Sequence, residues 1–180
     1  MRDASLQKTL ESHKRFVPDL DLTTAYGVPM PVLNLLAQQY RQGGFELVDA
    51  LWSAGAVEEK ILAAKMLGKI AGKDPAKALA LVEHFSAEIT NWAICDAIGM
   101  QSLKPLVKKY SKEIFALAHK LNHSKDLWQR RLSLVMVEWY TRDQQYHAEI
   151  NKLVANLEND KEYYVKKAIV WLKRNLEKGK

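Results

Sequence analysis

The sequence predicts an all-α fold, and three observations predict it. Glycine and proline are scarce, 8 and 5 in 180 residues, too little punctuation for a many-turned β fold. Apolar residues recur at helical spacing through most stretches between those breaks. Four stretches, residues 60–70, 92–100, 128–140 and 164–174, look alike and recur at intervals of roughly 35 residues. A hydrophobic share of 48% against 27% charged residues belongs to a globular chain, with length enough for residues 1–180 to form one domain around a real core.

Taken in order, Ala4 to Arg15 reads as an amphipathic helix. Phe16 to Pro31 reads as a loop, broken by Pro18, Gly27, Pro29 and Pro31. Val32 to Arg41 is a second helix stopped by Gly43-Gly44, and Phe45 to Ser53 a short third. Val57 to Ile70 is strongly helical and ends at Ala71-Gly72. Asp74-Pro75 reads as an N-cap followed by proline at the first helical position, where its missing N–H has no partner to lose. That opens a helix over Ala76 to Ala87. Thr90 to Met100 follows, and then a pair, Leu103 to Tyr110 and Lys112 to Leu121, around Ser111. Ser124 is expected to cap a long helix over Lys125 to Tyr140. Gln144 to Leu157 and a last helix from Asp160 complete the chain. The helices come in pairs, and the pairs repeat. That period predicts a curved solenoid of HEAT-like antiparallel helix pairs, with a compact bundle as the alternative.

The totals exclude several classes. The formal charge is +6 and the isoelectric point about 9.3, compatible with a polyanionic partner. The excess is uneven: residues 161–180 carry seven Lys or Arg against Glu162 and Glu177. Cys95 is the only cysteine, so no internal disulfide forms and a reducing, cytoplasmic setting is expected. Cys95 lies in an apolar helical run, where a thiol is inert core. The N-terminus lacks the apolar stretch of a signal peptide, and no run is long enough to span a membrane. No phosphate-binding loop, dinucleotide fingerprint or nucleophile elbow is present. His119 and His123 stand at i, i+4, but no third imidazole is near and no metal is expected.

Certain residues fall off the apolar faces. In 160–174, Val165, Ile169, Leu172 and, beyond it, Leu176 make the buried stripe, whereas Trp171 lies about 100° or more away from it. In 91–100, Ile94, Ala97 and Ile98 face inward, which places Trp92, Asp96 and Gly99 on the opposite side. In 124–140, Trp128, Leu132, Val135 and Trp139 form the apolar stripe, and both tryptophans are expected in the core. Arg131 and Arg130 lie off it. Arginine suits phosphate because its planar fork donates paired hydrogen bonds. Trp92, Arg131 and Trp171 are 39 and 40 residues apart, close to one repeat, so they are expected side by side along one groove.

Three ordered segments, N-W-A-I-C-D-A-I at 91–98, S-K-D-L-W-Q-R-R at 124–131 and D-K-E-Y-Y-V-K-K-A-I-V-W-L-K-R at 160–174, together resemble the AlkD-type DNA alkylation repair family of HEAT-like DNA glycosylases. Y-G-V-P-M-P-V-L at 26–33 resembles that family's early turn into a helix. The resemblance covers roughly residues 20–175. It implies a concave face for duplex DNA, and hydrolysis of the N-glycosidic bond of N3- or N7-alkylated purines without a base-flipping pocket. It implies Asp96 as the catalytic acidic residue, Trp92 and Trp171 as cleft tryptophans, and Arg131 as a phosphate contact. Arg130, Lys166, Lys167, Lys173 and Arg174 are further candidates for phosphates. It implies no cofactor, a monomer, and a place at the nucleoid.

The chemistry suits these residue types. An alkylated purine is already cationic and leaves without a general acid. A carboxylate stabilises the oxocarbenium-like sugar and orients water, and indole faces attract the cation. This reading expects Asp96 within about 8 Å of both indoles in an open basic cleft, and weakens if Asp96 is buried in a salt bridge. The sequence departs from the family's pattern at Ala93, at Val170 beside Trp171, in the absent N-terminal Tyr-x-Lys segment, and in ending at Lys180. Val170 and the shortened chain support the alternative, a non-catalytic HEAT-like module that binds nucleic acid. A protein-binding scaffold would instead show an apolar concave face.

Overall fold

The structure, a computed structural model, describes residues 25–179. The helix expected over Ala4 to Arg15, and most of the loop after it, lie outside the described residues. Among those described, every regular element is helical, and no helix is long and apolar enough to cross a membrane.

The α-helices are α1 (Met30–Gln39), α2 (Gly44–Ala54), α3 (Val57–Ile70), α4 (Pro75–Ser86), α5 (Trp92–Ala97), α6 (Ser111–Asn122), α7 (Leu127–Val135), α8 (His147–Asn156) and α9 (Tyr163–Lys178). The expected α3 agrees at both ends. The Asp74 cap is present, its side chain accepting from the Lys77 amide at 3.0 Å.

Two elements and one cap differ from expectation, each for a local reason. Leu103 to Tyr110 is not a helix: the chain passes through a π turn at Ile98–Ser102 and a 3-10 turn at Lys104–Leu106, where Pro105 supplies no N–H for a ladder. The helix expected over Lys125 to Tyr140 stops at Val135. A 3-10 segment over Glu138–Arg142 follows, in which the Trp139 indole N–H and the Tyr140 hydroxyl donate instead to the carbonyls of Met100 and Val107. Its cap is Asp126 rather than Ser124. The carboxylate accepts from the amides of Trp128 and Gln129, both at 2.9 Å, whereas the Ser124 hydroxyl accepts from the Asp126 amide and shapes the turn before it.

The four look-alike stretches stand beside one another in chain order. Helix α3 packs on α5 and its π turn, α5 on α7, and α7 on α9. The intervening helices keep the same order, α4 against α6 and α6 against α8. Buried apolar side chains between and within these rows form one continuous cluster, with Leu132, Val165 and Leu172 fully enclosed.

Two glycines set how closely the first row packs. A Cβ on Gly68 would collide with the backbone carbonyl of Gln101, and one on Gly99 would lie 2.6 Å from Val135 Cγ1 and 3.1 Å from the Met136 nitrogen. Gly99 is therefore buried against α7, one turn beyond the pair that Asp96 makes with Arg131. It keeps the side of the helix that Asp96 occupies, but there Val135 covers that side. The expected core positions of Trp128 and Trp139 also change. Both are half-buried at the rim, Trp128 against Tyr164, and Trp139 beneath the cations of Lys104 and Arg142.

Candidate functional site

Helix α5 opens at Asn91, whose side-chain oxygen accepts from the amides of Ala93 and Ile94 at 2.9 and 3.1 Å. That cap fixes Trp92 as the first helical residue, 36% exposed, with Asp96 one turn further on. Ile94 and Ala97 enter the core as expected, and so does Ile98 from the π turn. Helix α7, capped by Asp126, presents Arg131 from the neighbouring position in the row.

Arg131 and Asp96 meet as a two-pronged ion pair. Nη2 donates to Oδ1 at 2.8 Å and Oδ2 at 3.0 Å, and Nε donates to Oδ1 at 3.2 Å. Nη1 donates to the Tyr164 carbonyl at 2.8 Å, and the guanidinium lies 6.0 Å from the Tyr164 ring. All three guanidinium nitrogens thus have acceptors inside the protein. Arg131 is buried, yet the Asp96 side chain keeps 36% of its surface exposed. Burial pushes the Asp96 carboxyl above the ordinary aspartate range, with the Arg131 charge and hydrogen bonds pulling the other way. The adjacent Cys95 is fully buried and its thiol is pushed up by desolvation, which keeps it protonated and inert.

A second constellation lies on the outward face of α9. Tyr163, Lys166, Lys167, Val170, Trp171 and Arg174 line an open groove of about 360 Å³. Their spacing is that of one helix face. Trp171 packs partly on the core, whereas Tyr163 and Val170 are 61% and 57% exposed. Lys167 Nζ stands 4.9 Å from the centre of the Tyr163 ring. The two constellations adjoin at the start of α9, where the Tyr163 and Tyr164 rings are 5.2 Å apart.

The remaining candidates go elsewhere. Arg130 is bound within the protein: Nε donates to Asp160 at 2.6 Å and Nη1 to the carbonyls of Ser124 and Lys125. Lys173 pairs with Glu158 at 2.6 Å and does not line the groove. His119 bonds to Glu149 and His123 to the His119 carbonyl. Among the described residues no group of three or more His, Cys, Asp or Glu is placed to hold a metal ion.

Sequence reasoning missed two contributors. Tyr163 extends the groove by two turns beyond Trp171, and its signal was available as a bulky residue eight positions before Trp171 on one face. Tyr164 acts through its backbone carbonyl, for which residue type gives no signal.

Over residues 1–179 the chain matches the family described as DNA alkylation repair enzyme. No curated protein and no solved structure matches it.

Proposed function

The chain belongs to the DNA alkylation repair enzyme family, and from that premise we propose that it is a DNA glycosylase for cationic N3- and N7-alkylated purines in duplex DNA. The observation that carries this reading is the Asp96 carboxylate, held in place by Arg131 while more than a third of its side chain stays open. Its chemistry is hydrolysis. The C1′–N bond breaks and its electrons neutralise the charge on the leaving base, so no proton donor is needed. Positive charge passes to the sugar, which Asp96 stabilises. Water adds to C1′ and loses its proton to Asp96 or solvent. Trp92 and Trp171 favour a cationic nucleotide, each contact being worth about 0.5–2 kcal/mol. Lys166, Lys167 and Arg174 hold phosphates. An open groove beside Trp171 agrees with damage read without an enclosed base pocket, on one face of a HEAT-like solenoid.

In this reading Arg131 acts chiefly on Asp96, since each of its guanidinium nitrogens already donates inside the protein. The same ion pair favours a second reading. A carboxylate so well matched by an arginine has less charge to offer a sugar cation, as a non-catalytic nucleic-acid-binding module would allow. Release of base from duplex DNA carrying N7-methylguanine separates the two. The glycosylase reading requires release by the wild type and its loss in Asp96→Asn with DNA binding retained. Salt-sensitive binding without release would establish the module instead.

A further inference from the structure

The row of helices carries a second set of cations, away from Asp96 and the α9 groove, at its C-terminal edge. Lys73 follows α3, Lys104 follows the π turn of α5, Arg142 follows α7, and Lys178 ends α9; all four are exposed. Contacts join them into one belt. The segment over Ala71–Lys73 packs on that over Lys104–Leu106. Lys104 Nζ and Arg142 Cζ lie 4.8 and 5.0 Å from the centre of the Trp139 indole. Arg142 and Lys178 line one small hollow with Glu138, Thr141, Asn175 and Gly179.

Cations at helix C-termini often serve the helix itself, by bonding its last carbonyls. Lys73, Lys104 and Lys178 make no such bond, and no ion pair, among the described residues. The acids nearby are occupied. Glu138 holds Arg142 and Asn175, Asp74 caps α4, and Asp143 holds Gln145. Glu177 is the remaining opposing charge on the last turn. A row of four packed helices at 8–10 Å per step spreads the belt over roughly 25–30 Å. Duplex DNA presents a charge about every 1.7 Å of its axis, so a belt of that length meets several phosphates.

We infer that this edge is a second phosphate-binding surface, taking the duplex backbone that flanks the stretch held at Asp96 and the α9 groove. The inference rests on the DNA-binding part of the proposed function and not on its chemistry. Its role is to hold and register the duplex without reading bases.

The test compares two triple variants of equal charge. One removes the edge, Lys73→Gln, Lys104→Gln and Lys178→Gln. The other removes three lysines from the opposite row, Lys112→Gln, Lys120→Gln and Lys152→Gln. Affinity for an undamaged 30-base-pair duplex is measured across a salt series, and base release from methylated duplex is followed in parallel. The edge variant is expected to lower the slope of log affinity against log salt by about 3, one unit per lysine, and the control by less than 1. Equal slopes for the two variants would overturn the edge while leaving any observed base release standing. An edge effect with no base release by the wild type would keep the edge and remove the glycosylase. A wild type that does not bind duplex would remove both.

Discussion

Asp96 accepts three hydrogen bonds from Arg131, between 2.8 and 3.2 Å, although the two residues are 35 positions apart on different helices. The pair ties α5 to α7 at the point where the proposed chemistry occurs. Replacing the carboxylate by its amide, Asp96→Asn, removes the charge while keeping the shape. The expected result is a loss of base release of about 100-fold or more, with duplex affinity within a few-fold of wild type.

Arg131 also sets a pH dependence. Burial raises the Asp96 carboxyl and Arg131 lowers it, with burial the larger effect. The proposed chemistry needs the ionised form, so base release is expected to fall as pH drops through a value above the ordinary aspartate range. Stability runs the other way: a raised folded value makes Asp96 a liability above it, partly relieved as pH falls. Arg131→Gln removes the counterweight. A pH–rate profile should show the acid limb moved to higher pH, and an unmoved limb would assign that limb to another group.

Trp92 and Trp171 should separate under mutation. Trp92 is 36% exposed, whereas Trp171 packs partly against the core. Trp92→Ala is expected to leave the thermal midpoint within a few degrees and to cut release of cationic bases about two- to thirty-fold, the equivalent of one cation–π contact of about 0.5–2 kcal/mol. Trp171→Ala is expected to lower both the midpoint and the rate. Calorimetry beside single-turnover release distinguishes the two patterns.

Arg130 is expected to matter for stability and not for DNA. Its pair with Asp160 has side chains 16% and 7% exposed. Burial alone would raise the Asp160 carboxyl, but the Arg130 hydrogen bond, the Glu162 amide and the nearby cations together bring it below its ordinary value. That contribution is present above the unfolded carboxylate value and lost as pH falls through the folded one. Arg130→Ala takes the cation from Asp160, which keeps the Glu162 amide, at a cost of about 1–3 kcal/mol by chemical denaturation, while the salt dependence of duplex binding is unchanged.

Two glycine substitutions should have opposite signs. Alanine in place of glycine gains about 1 kcal/mol inside a helix. At Gly99 the added methyl meets Val135 at 2.6 Å, and overpacking costs about 1–3 kcal/mol. Nothing lies within 4 Å of a Cβ at Gly72. Gly99→Ala is therefore expected to lower the midpoint and Gly72→Ala to hold or raise it.

The sequence was most legible where local patterns decide structure. The α9 stripe of Val165, Ile169, Leu172 and Leu176 is buried as its spacing predicts, and α3 and the Asp74 cap follow from the local order of residues. It was least legible where distant contacts compete with the local ladder. Nothing in the local pattern announces that Trp139 will donate to the Met100 carbonyl, or that Val135 of α7 will cover Gly99. At the site, periodicity placed Asp96 and Trp171 off the core. Pairing required the fold: only the packing of α5 on α7 reveals that Arg131 is committed to Asp96, and only the start of α9 reveals the Tyr164 carbonyl that holds its other arm.

The contacts at Gly68 and Gly99 also decide where this protein can breathe. Where backbone meets backbone or a stiff valine, there are few rotamers through which to yield. Both contacts lie toward the C-terminal ends of their helices, so that side should behave as a spine. Thermal opening would then begin at the other ends, where Asn91 and Asp126 start α5 and α7. Amide exchange should be slowest around residues 99–101 and 135–136 and faster in the first turns of both helices. A duplex would then meet an enzyme whose grip can flex while the register between Asp96 and Arg131 stays fixed from behind.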